Sequence, residues 1–411
     1  SGSLSISVTG DVSSKSKDIS DDNYSHGIFA DGYGNDVSVF IDGDVISNDR
    51  GIYVWNEGSG NISVTSTGTV TARNNNGIYA RSEEGSNASN IIVLANNVNS
   101  YDDAIGTLNY GFGSTSITAL GTVNGGVGQA NETINTDGIF ALNGASATDL
   151  TITANDVSGL EDGVVGVNLG TGSISISLSG DVAVTTTSLN PDAKNADYES
   201  DTHHYGIGAS NYGTDIEIVT TGDVTSIDRG IYAINFGSGN TSVTSSGNVY
   251  ASLNQNDENY NQAGIEVYNS ASAHDVTISA RNVEALTHGI YAKNLGSGSI
   301  EVSVTGTVVG RGSGSEGIHT AGSSATIVVA STAYVKGAAE GIETDGSSDI
   351  VTVEGSVTGL SGTAILLGAG DDEVTIGSLA TITGNVDGGI GSDTANFLVA
   401  KSSVDGFIYN D

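Results

Sequence analysis

The amino-acid sequence predicts an all-β protein: a right-handed, single-stranded parallel β-helix (a solenoid) of about 13 coils of roughly 24 residues plus inserts. Three observations lead to this prediction. Short apolar-alternating runs are separated by turn residues, a glycine–isoleucine pair recurs at a nearly fixed interval, and a block of coils returns later in the chain. Parallel crossovers within one sheet favour the right hand.

Residues 51–72 form the repeating unit. They contain three short runs in which apolar and polar residues alternate, with Gly, Ser and Asn between them. Alternation with a period of two places successive side chains on opposite sides of a strand. The inward side is predicted to hold Ile52, Val54, Ile62, Val64, Val70 and Ala72, and the outward side Tyr53, Ser63 and Thr65. Three strands in about two dozen residues are typical of one solenoid coil.

The first run recurs along the whole chain. Its glycine–isoleucine pair, or an equivalent, begins at anchor positions 27, 51, 77, 104, 138, 163, 206, 230, 264, 289, 317, 341 and 364. Compact coils step by 24 to 25 residues, and longer steps carry inserts. Five residues after most anchors lies an asparagine, as at Asn56 and Asn294, with Gly in three coils and Ser82 in one. Because Asn and Gly tolerate positive φ, this column predicts a fixed turn corner.

A longer period indicates that six coils were duplicated as a block. Residues 49–53 return unchanged at 228–232, an offset of 179. Stacked coils form one continuous body however long the chain is. The predicted organisation is a single β-helix over residues 1–411, with duplicated blocks at 1–170 and 171–350 and C-terminal coils at 351–411.

The composition excludes several classes of protein and partner. The 59 Gly and single Pro fit many tight turns between strands that cannot lose an amide hydrogen. The net charge of −36, from 48 acidic and 12 basic residues, repels nucleic acid and anionic lipid, so neither nucleic-acid binding nor direct membrane insertion is expected. Cations, glycans and basic protein patches remain as partners. The absence of Cys excludes disulfides and thiolate metal sites.

Two stretches resemble a known family. The Gly-Ile-Tyr-Ala coil with its Gly-Ser-Gly turn at Gly230–Gly239, and the segment Ala380–Gly389, are similar to the passenger domains of bacterial autotransporters (type V secretion). The resemblance implies a secreted parallel β-helix displayed at the cell surface, on the Gram-negative outer membrane. Such passengers are commonly adhesins or self-associating proteins. Cell adhesion, biofilm formation or virulence would follow, with a host or neighbouring cell surface, a glycan or another copy of the chain as partner.

One motif suggests a calcium site. Gly388–Asp393, with a partial copy at Gly368–Asp372, resembles the calcium-binding nonapeptide of RTX repeats, in which turn carbonyls and an Asp carboxylate surround a hard cation. Asp372 and Asp393 are therefore the candidate calcium ligands. The copies lie about 20 residues apart and not nine, which favours a plain glycine turn. No other cofactor is predicted.

Catalytic and transition-metal sites are not predicted. Paired acids could serve as glycosidase carboxylates, but neighbours on a strand point to opposite faces. These pairs are Asp21–Asp22, Glu83–Glu84, Asp102–Asp103 and Asp371–Asp372. The histidines are spread over many coils, so no convergent metal site is expected from His26, His203, His204, His274, His288 and His319. Asp49–Arg50 and Asp228–Arg229 are expected to form local charge pairs at a turn.

The residue after each anchor isoleucine is predicted to point outward. It is aromatic at Phe29, Tyr53, Tyr79, Phe140, Tyr232 and Tyr291. Aromatic side chains stacked from coil to coil predict a stripe for glycan binding or self-association. The alternatives are that stacking only stabilises the sheet, or that long inserts cover the stripe.

These observations together predict a surface-displayed, non-catalytic adhesin or self-association module. A polysaccharide-active β-helix enzyme is the alternative from another class, and two carboxylates on neighbouring coils within about 5–10 Å would favour it. A structural spacer stalk is the third possibility.

Overall fold

The computed structural model describes residues 2–14, 25–83, 90–129, 136–186, 204–251, 263–398 and 407–408. Within these ranges the regular secondary structure is entirely β, with turns and bends between strands. No helix in this part of the chain has the length and hydrophobicity to cross a lipid bilayer. The chain divides into two compact units, Ser1–Thr214 (unit 1) and Asp215–Asp411 (unit 2).

The described residues of unit 1 form 19 strands. They are β1 (Leu4–Thr9), β2 (Val12–Ser13), β3 (Ile28–Gly32), β4 (Val37–Asp42), β5 (Val45–Ser47), β6 (Ile52–Asn56), β7 (Ile62–Ala72), β8 (Ile78–Ser82), β9 (Ile91–Ser100), β10 (Ile105–Asn109), β11 (Thr115–Ala119), β12 (Val123–Asn124), β13 (Ile139–Asn143), β14 (Leu150–Ala154), β15 (Val157–Gly159), β16 (Val164–Asn168), β17 (Ile174–Leu178), β18 (Val182–Val184) and β19 (Tyr205–Asn211).

The described residues of unit 2 also form 19 strands. They are β20 (Ile216–Thr220), β21 (Val224–Ser226), β22 (Arg229–Asn235), β23 (Thr241–Ala251), β24 (Ile265–Asn269), β25 (Val276–Ala285), β26 (Ile290–Asn294), β27 (Ile300–Val304), β28 (Thr307–Gly310), β29 (Ile318–Gly322), β30 (Ala325–Val329), β31 (Tyr334–Gly337), β32 (Ile342–Asp345), β33 (Ile350–Val353), β34 (Ser356–Leu366), β35 (Glu373–Ile376), β36 (Thr381–Asp387), β37 (Thr394–Phe397) and β38 (Phe407–Ile408).

Unit 1 repeats three strand positions in each turn, which we call the first, second and third strand. In the turn that follows Gly51 the first strand is β6, and the second and third strands are joined in β7. First strands pair in parallel and in register, so that Ile52 lies between Ile28 and Ile78. Second strands do the same, since β7 pairs with β4 and β9. Unit 1 is therefore a parallel β-solenoid with turns about 25 residues apart.

Unit 2 has the same architecture. The first strands β22, β24, β26 and β29 pair in parallel, each with the next. The glycine-rich C-terminal turns continue the pattern, because β35 pairs with β33 and β37. The chain has about 13 turns, which confirms the predicted solenoid. Its right hand and the duplication boundary at residue 170 stay predictions.

Columns of aliphatic side chains fill the interior of each unit. The predicted inward residues of the repeating unit are confirmed: five are fully buried and Ala72 is 3% exposed. Equivalent isoleucines stack as Ile52, Ile78, Ile105 and Ile139 in unit 1 and as Ile231, Ile265, Ile290, Ile318 and Ile342 in unit 2. Burial of one such side chain contributes about 1.5–3 kcal/mol. Burial of these aliphatic columns is the main interaction that holds successive turns together.

The asparagine column ends the first strands with a buried amide. The Asn56 side chain is fully buried, and its Nδ2 donates to the carbonyl oxygens of Asn35 (3.2 Å) and Gly60 (2.9 Å). Its Oδ1 accepts the N–H of Gly58 at 2.9 Å. The turn lies where the sequence predicts it, and the buried amide fixes it by hydrogen bonds. Of the three glycines in this column, only Gly322 has a positive φ, 96°.

The anchor glycines are explained by the close approach of neighbouring turns. A Cβ atom at Gly51 would lie 2.5 Å from the carbonyl oxygen of Gly77 and 2.3 Å from Cγ1 of Val70. Both distances are far below van der Waals contact. The position before most first strands therefore has no room for a side chain.

Candidate functional site

Three of the predicted aromatic residues form a stack on the outer side of the first strands of unit 1. The register places Phe29 beside Tyr53 and Tyr53 beside Tyr79. The ring centroids are 5.1 Å apart in the first pair and 5.7 Å in the second, and both pairs are tilted. Such distances are typical of favourable aromatic pairs. The outer side of these three turns therefore carries a contiguous aromatic surface, the aromatic stack.

The aromatic stack ends at Gly106. The register places Gly106 beside Tyr79, and a Cβ atom there would lie 3.0 Å from Cδ2 of Tyr79. Phe140 is the next aromatic residue in the column, but its neighbours are Gly106 and Val165. The predicted stripe is therefore interrupted at Gly106, and Phe140 has no aromatic neighbour within its column.

In unit 2 the same column alternates aromatic and ionisable residues. Tyr232 lies beside Glu266, and Tyr291 lies between Glu266 and His319. Arg229 forms an ion pair with Glu266 (Nε–Oε2 2.7 Å), and its guanidinium lies 4.8 Å from the ring centroid of Tyr232. Tyr232 and Tyr291 are thus separated by a carboxylate, and this surface is charged rather than aromatic.

A groove of about 450 Å³ lies beside the aromatic stack in unit 1. It is lined by His26, Phe29, Arg50, Tyr53 and Trp55. Phe29 is 50% exposed, so its ring is accessible to a bound molecule. The Arg50 guanidinium lies 4.7 Å from the ring centroid of Tyr53 and 5.1 Å from that of Tyr79, within cation–π range.

Arg50 has a larger role than the predicted turn charge pair. Its Nε donates to Oδ1 of Asn76 at 3.2 Å, while Nδ1 of His26 lies 3.0 Å from Oδ2 of Asp49. Burial acts to raise the pKa of Asp49, but the contact with His26 and its positive charge outweigh burial, so this pKa lies below its usual value. Arg50 therefore belongs to the aromatic surface, and Asp49 holds the histidine at its edge.

The aromatic residues in and beside the groove also carry polar atoms. Burial raises the pKa of Tyr79 to about 12 and raises the pKa of Tyr53, despite the nearby arginines, so both hydroxyls stay protonated at neutral pH. The indole Nε1 of Trp55 is buried and has no hydrogen-bond partner within the described ranges. Aromatic faces with a few polar groups are typical of small-ligand sites.

The two glycine-rich segments that carry the candidate calcium ligands lie on adjacent turns of unit 2. Ala369 pairs with Ile390, and the N–H of Asp372 donates to Oδ1 of Asp393 at 3.1 Å. The spacing of about 20 residues therefore brings the two copies side by side, because 21 residues make one turn here. The carboxylates bind backbone N–H groups, since Asp372 Oδ1 also accepts the N–H of Asp349 at 2.6 Å. Calcium at Asp372 and Asp393 stays a prediction.

In two of the acidic pairs one member is buried and the other is not, although both pairs lie in turns outside the strands. Asp103 is 5% exposed and Asp372 is 2% exposed, whereas Asp102 is half-buried and Asp371 is exposed. The buried members bind the backbone, and Asp103 Oδ1 accepts the N–H of Asp137 at 3.1 Å. Asp21–Asp22, Glu84 and His203 lie outside the described residues.

Two histidines do converge, contrary to the sequence expectation. His288 and His319 lie on adjacent turns of unit 2 with ring centroids 5.5 Å apart, and both face Glu316. Separation along the chain was a poor guide, because stacking brings residues one turn apart into contact. The signal was their place in the repeat: His288 and Glu316 each precede an anchor glycine, and His319 follows its anchor isoleucine.

Comparison with protein-family models, with curated protein sequences and with solved structures finds no match for this chain. The β-solenoid fold is compatible with the autotransporter passenger that the sequence resembles.

Proposed function

We propose that this chain is a non-catalytic adhesive module, displayed at the bacterial surface as an autotransporter passenger, and that the groove of unit 1 binds a glycan. The β-solenoid supports the first part, because it is compatible with such a passenger. The observation that carries the second part is the groove beside the aromatic stack.

The chemistry of the groove suits a sugar. A pyranose ring presents a C–H face that packs on an aromatic ring, and its hydroxyls need nearby hydrogen-bonding groups. Phe29 supplies an exposed ring, and the Arg50 guanidinium supplies donors. The volume of about 450 Å³ lies within the usual range for ligand sites. Because β-strands hold the rings in place, binding requires little ordering of the protein.

The net charge favours a neutral glycan. An excess of negative charge, −36 over the chain, repels polyanionic saccharides at long range. Arg50 is also already engaged by two tyrosine rings and by Asn76. Binding of a neutral saccharide is expected to change little with ionic strength, since no charge pair forms.

The groove contains its own optical probe, because Trp55 is the only tryptophan in the chain. The purified chain is titrated with a panel of neutral oligosaccharides while tryptophan fluorescence is recorded. Phe29→Ala and Tyr53→Ala are expected to weaken binding about tenfold or more, as loss of a central aromatic contact does. Phe112→Ala is the matched control, because Phe112 is also a phenylalanine of unit 1 that is 50% exposed.

A cell assay tests the adhesive role. The purified chain is mixed with cells that display it and with cells that lack it, with and without calcium. Binding to cells that lack it, reduced by Phe29→Ala and kept by Phe112→Ala, supports the proposal. Binding only to displaying cells would indicate that the partner is a second copy of the chain and not a glycan. Absence of binding in every arm, with no fluorescence response, would leave a spacer stalk as the better explanation.

A polysaccharide-active enzyme is the second candidate, and one observation in unit 2 favours it. Carboxylate oxygens of Glu316, Glu340 and Glu343, on neighbouring turns, lie within 4.8 Å of one another. Burial, together with the charge of Glu316, raises the pKa of Glu343 to about 7. A carboxylic acid that stays protonated beside a carboxylate is the arrangement that glycoside hydrolysis uses.

This second candidate is tested by incubating the chain with a polysaccharide panel and measuring new reducing ends. Activity abolished by Glu343→Gln or Glu340→Gln, and kept by a change at the exposed Glu301, would favour an enzyme. No new reducing ends from the unaltered chain would reject it.

A further inference from the structure

A cluster of nitrogen and oxygen atoms lies on the outer side of unit 2, where two columns of the repeat meet. Nδ1 of His288, a carboxylate oxygen of Glu316 and a ring nitrogen of His319 all lie within 4.8 Å of one another. His288 Nδ1 is in direct contact with Glu316 Oε2, and His319 Nδ1 lies 3.8 Å from the same oxygen. Two imidazoles and one carboxylate therefore converge on one point.

The converging atoms are buried and have no hydrogen-bond partner outside the cluster among the described residues. Nδ1 of His288, Oε2 of Glu316 and Nδ1 of His319 are each shielded from solvent without a hydrogen-bond partner in the described part of the chain. The Glu316 side chain is 8% exposed. A buried carboxylate oxygen that accepts no hydrogen bond is costly. A single cation at this point would satisfy all three lone pairs at once.

The surroundings orient the rings for metal binding. Nε2 of His319 lies 3.3 Å from Oδ2 of Asp345, which leaves Nδ1 directed at Glu316. Metal-binding histidines commonly contact a carboxylate through their second nitrogen in this way. Tyr291 packs on both rings, with centroids 5.4 Å from His288 and 5.2 Å from His319.

We propose that His288, Glu316 and His319 bind one divalent transition-metal ion, with Zn²⁺ as the natural fit, and that Asp345 orients His319. Two histidines and one glutamate with an open fourth position are an established zinc donor set. A tetrahedral ion with bonds of about 2.0–2.2 Å holds its ligand atoms about 3.3 Å apart, so small side-chain movements close the site. Calcium is not expected here, because it prefers an all-oxygen shell.

Such an ion would join two successive turns. His288 belongs to the turn before that of Glu316 and His319, so coordination ties the turns together on their outer side. The ion would also offset the charge of Glu340 and Glu343, whose carboxylates lie beside Glu316. Because it binds the folded chain, it raises thermal stability by mass action.

The test uses the untagged whole chain, stripped with a chelator and titrated calorimetrically with ZnCl₂ at pH 7.5. The expected result is saturable uptake of one Zn²⁺, with higher thermal stability and, for Co²⁺, the intense visible absorption of a four-coordinate ion. Glu316→Gln and His319→Ala are expected to abolish this uptake. Asp345→Asn is expected to weaken it about 10–100-fold, as loss of an orienting carboxylate does. His274→Ala is the matched control, because His274 is an exposed histidine of the same unit.

Circular dichroism checks that each variant folds, and a second measurement needs no variant. Proton competition is expected to weaken Zn²⁺ binding by the unaltered chain between pH 7.5 and 5.5, and excess Ca²⁺ is expected to leave it unchanged. The proposal is overturned if the unaltered chain shows no saturable uptake up to about 1 mM Zn²⁺. It is equally overturned if Glu316→Gln and His319→Ala bind as tightly as His274→Ala.

Discussion

The outer sides of the first strands in the two units are built on the same positions and carry opposite chemistry. In unit 1 these positions hold His26, Arg50, Phe29, Tyr53 and Tyr79, and in unit 2 they hold His288, Glu316, Tyr291, His319 and Glu343. Phenylalanine and tyrosine rings contact one another in the first set, whereas in the second Tyr291 packs on two imidazoles that converge on Glu316. The buried isoleucine column is the same in both.

The repeat fixes where each side chain lies, but it does not restrict which residue types occupy the outward positions. Inward residues are constrained by the packing of neighbouring turns and are mostly aliphatic, while outward residues contact other outward side chains and solvent. Outward positions recur at the spacing of the strands, so a few different residues there give unit 1 an aromatic groove and unit 2 a cluster of histidine and glutamate side chains.

The largest expected effect tests the shared core. Ile52→Ala in unit 1 and Ile290→Ala in unit 2 remove equivalent, fully buried side chains. Each is expected to lower the free energy of unfolding by about 3 kcal/mol, the usual cost of such a cavity. Urea unfolding measures both. A much smaller loss of unfolding free energy in one variant than in the other would contradict the expectation that the two cores are equivalent.

A smaller effect is expected from the aromatic stack. A double-mutant cycle of Phe29→Ala and Tyr53→Ala is expected to give a coupling energy of about 1 kcal/mol, because their rings are in contact. The same cycle on Tyr232 and Tyr291, which Glu266 separates, is expected to give a coupling near zero. Equal couplings would show that ring contact does not distinguish the units.

The smallest effect concerns the pH dependence of stability. It involves Asp102 of unit 1, whose pKa is raised by burial, as is that of Glu343 in unit 2. Burial raises the pKa of Asp102 from 3.8 to about 7, although Arg50 opposes the shift. A raised pKa means that the folded chain binds the proton more tightly, so this contribution to stability is complete below about pH 4 and is lost as pH rises through 7. Asp102→Asn is therefore expected to be more stable than the unaltered chain at pH 8, by less than about 1 kcal/mol after solvent screening, and equal to it at pH 4.

Thermal unfolding across this pH range measures the difference. A gain for Asp102→Asn at pH 4, or none at pH 8, would contradict the assignment.

The fold could be predicted because its causes are local in the sequence. Alternation at Ile62–Ala72 gives a strand with one buried side, and the recurring anchor glycine marks where turns touch. Both patterns repeat in nearly every coil, so local exceptions did not obscure them. The position of the asparagine column could be predicted, but the hydrogen bonds of its buried amides could not, since a sequence alone does not distinguish them from a φ preference.

The sites were harder to predict because they depend on which residue of one turn lies beside which residue of the next. Phe140 belongs to the aromatic column, but Gly106 separates it from Tyr79, and only the register shows this. His288 and His319 are far apart along the chain, yet one turn of the solenoid brings them together. Aligning the coils on their anchors, column by column, would have revealed both arrangements.

The in-register pairing of neighbouring turns also bears on how the chain folds. Ile28 pairs with Ile52, only 24 positions further on in a chain of 411 residues, a relative contact order of about 0.06 for such pairs. Values this low are typical of fast-folding helical bundles, whereas most all-β proteins must wait for distant partners. We therefore expect folding to nucleate in a few turns and to propagate coil by coil.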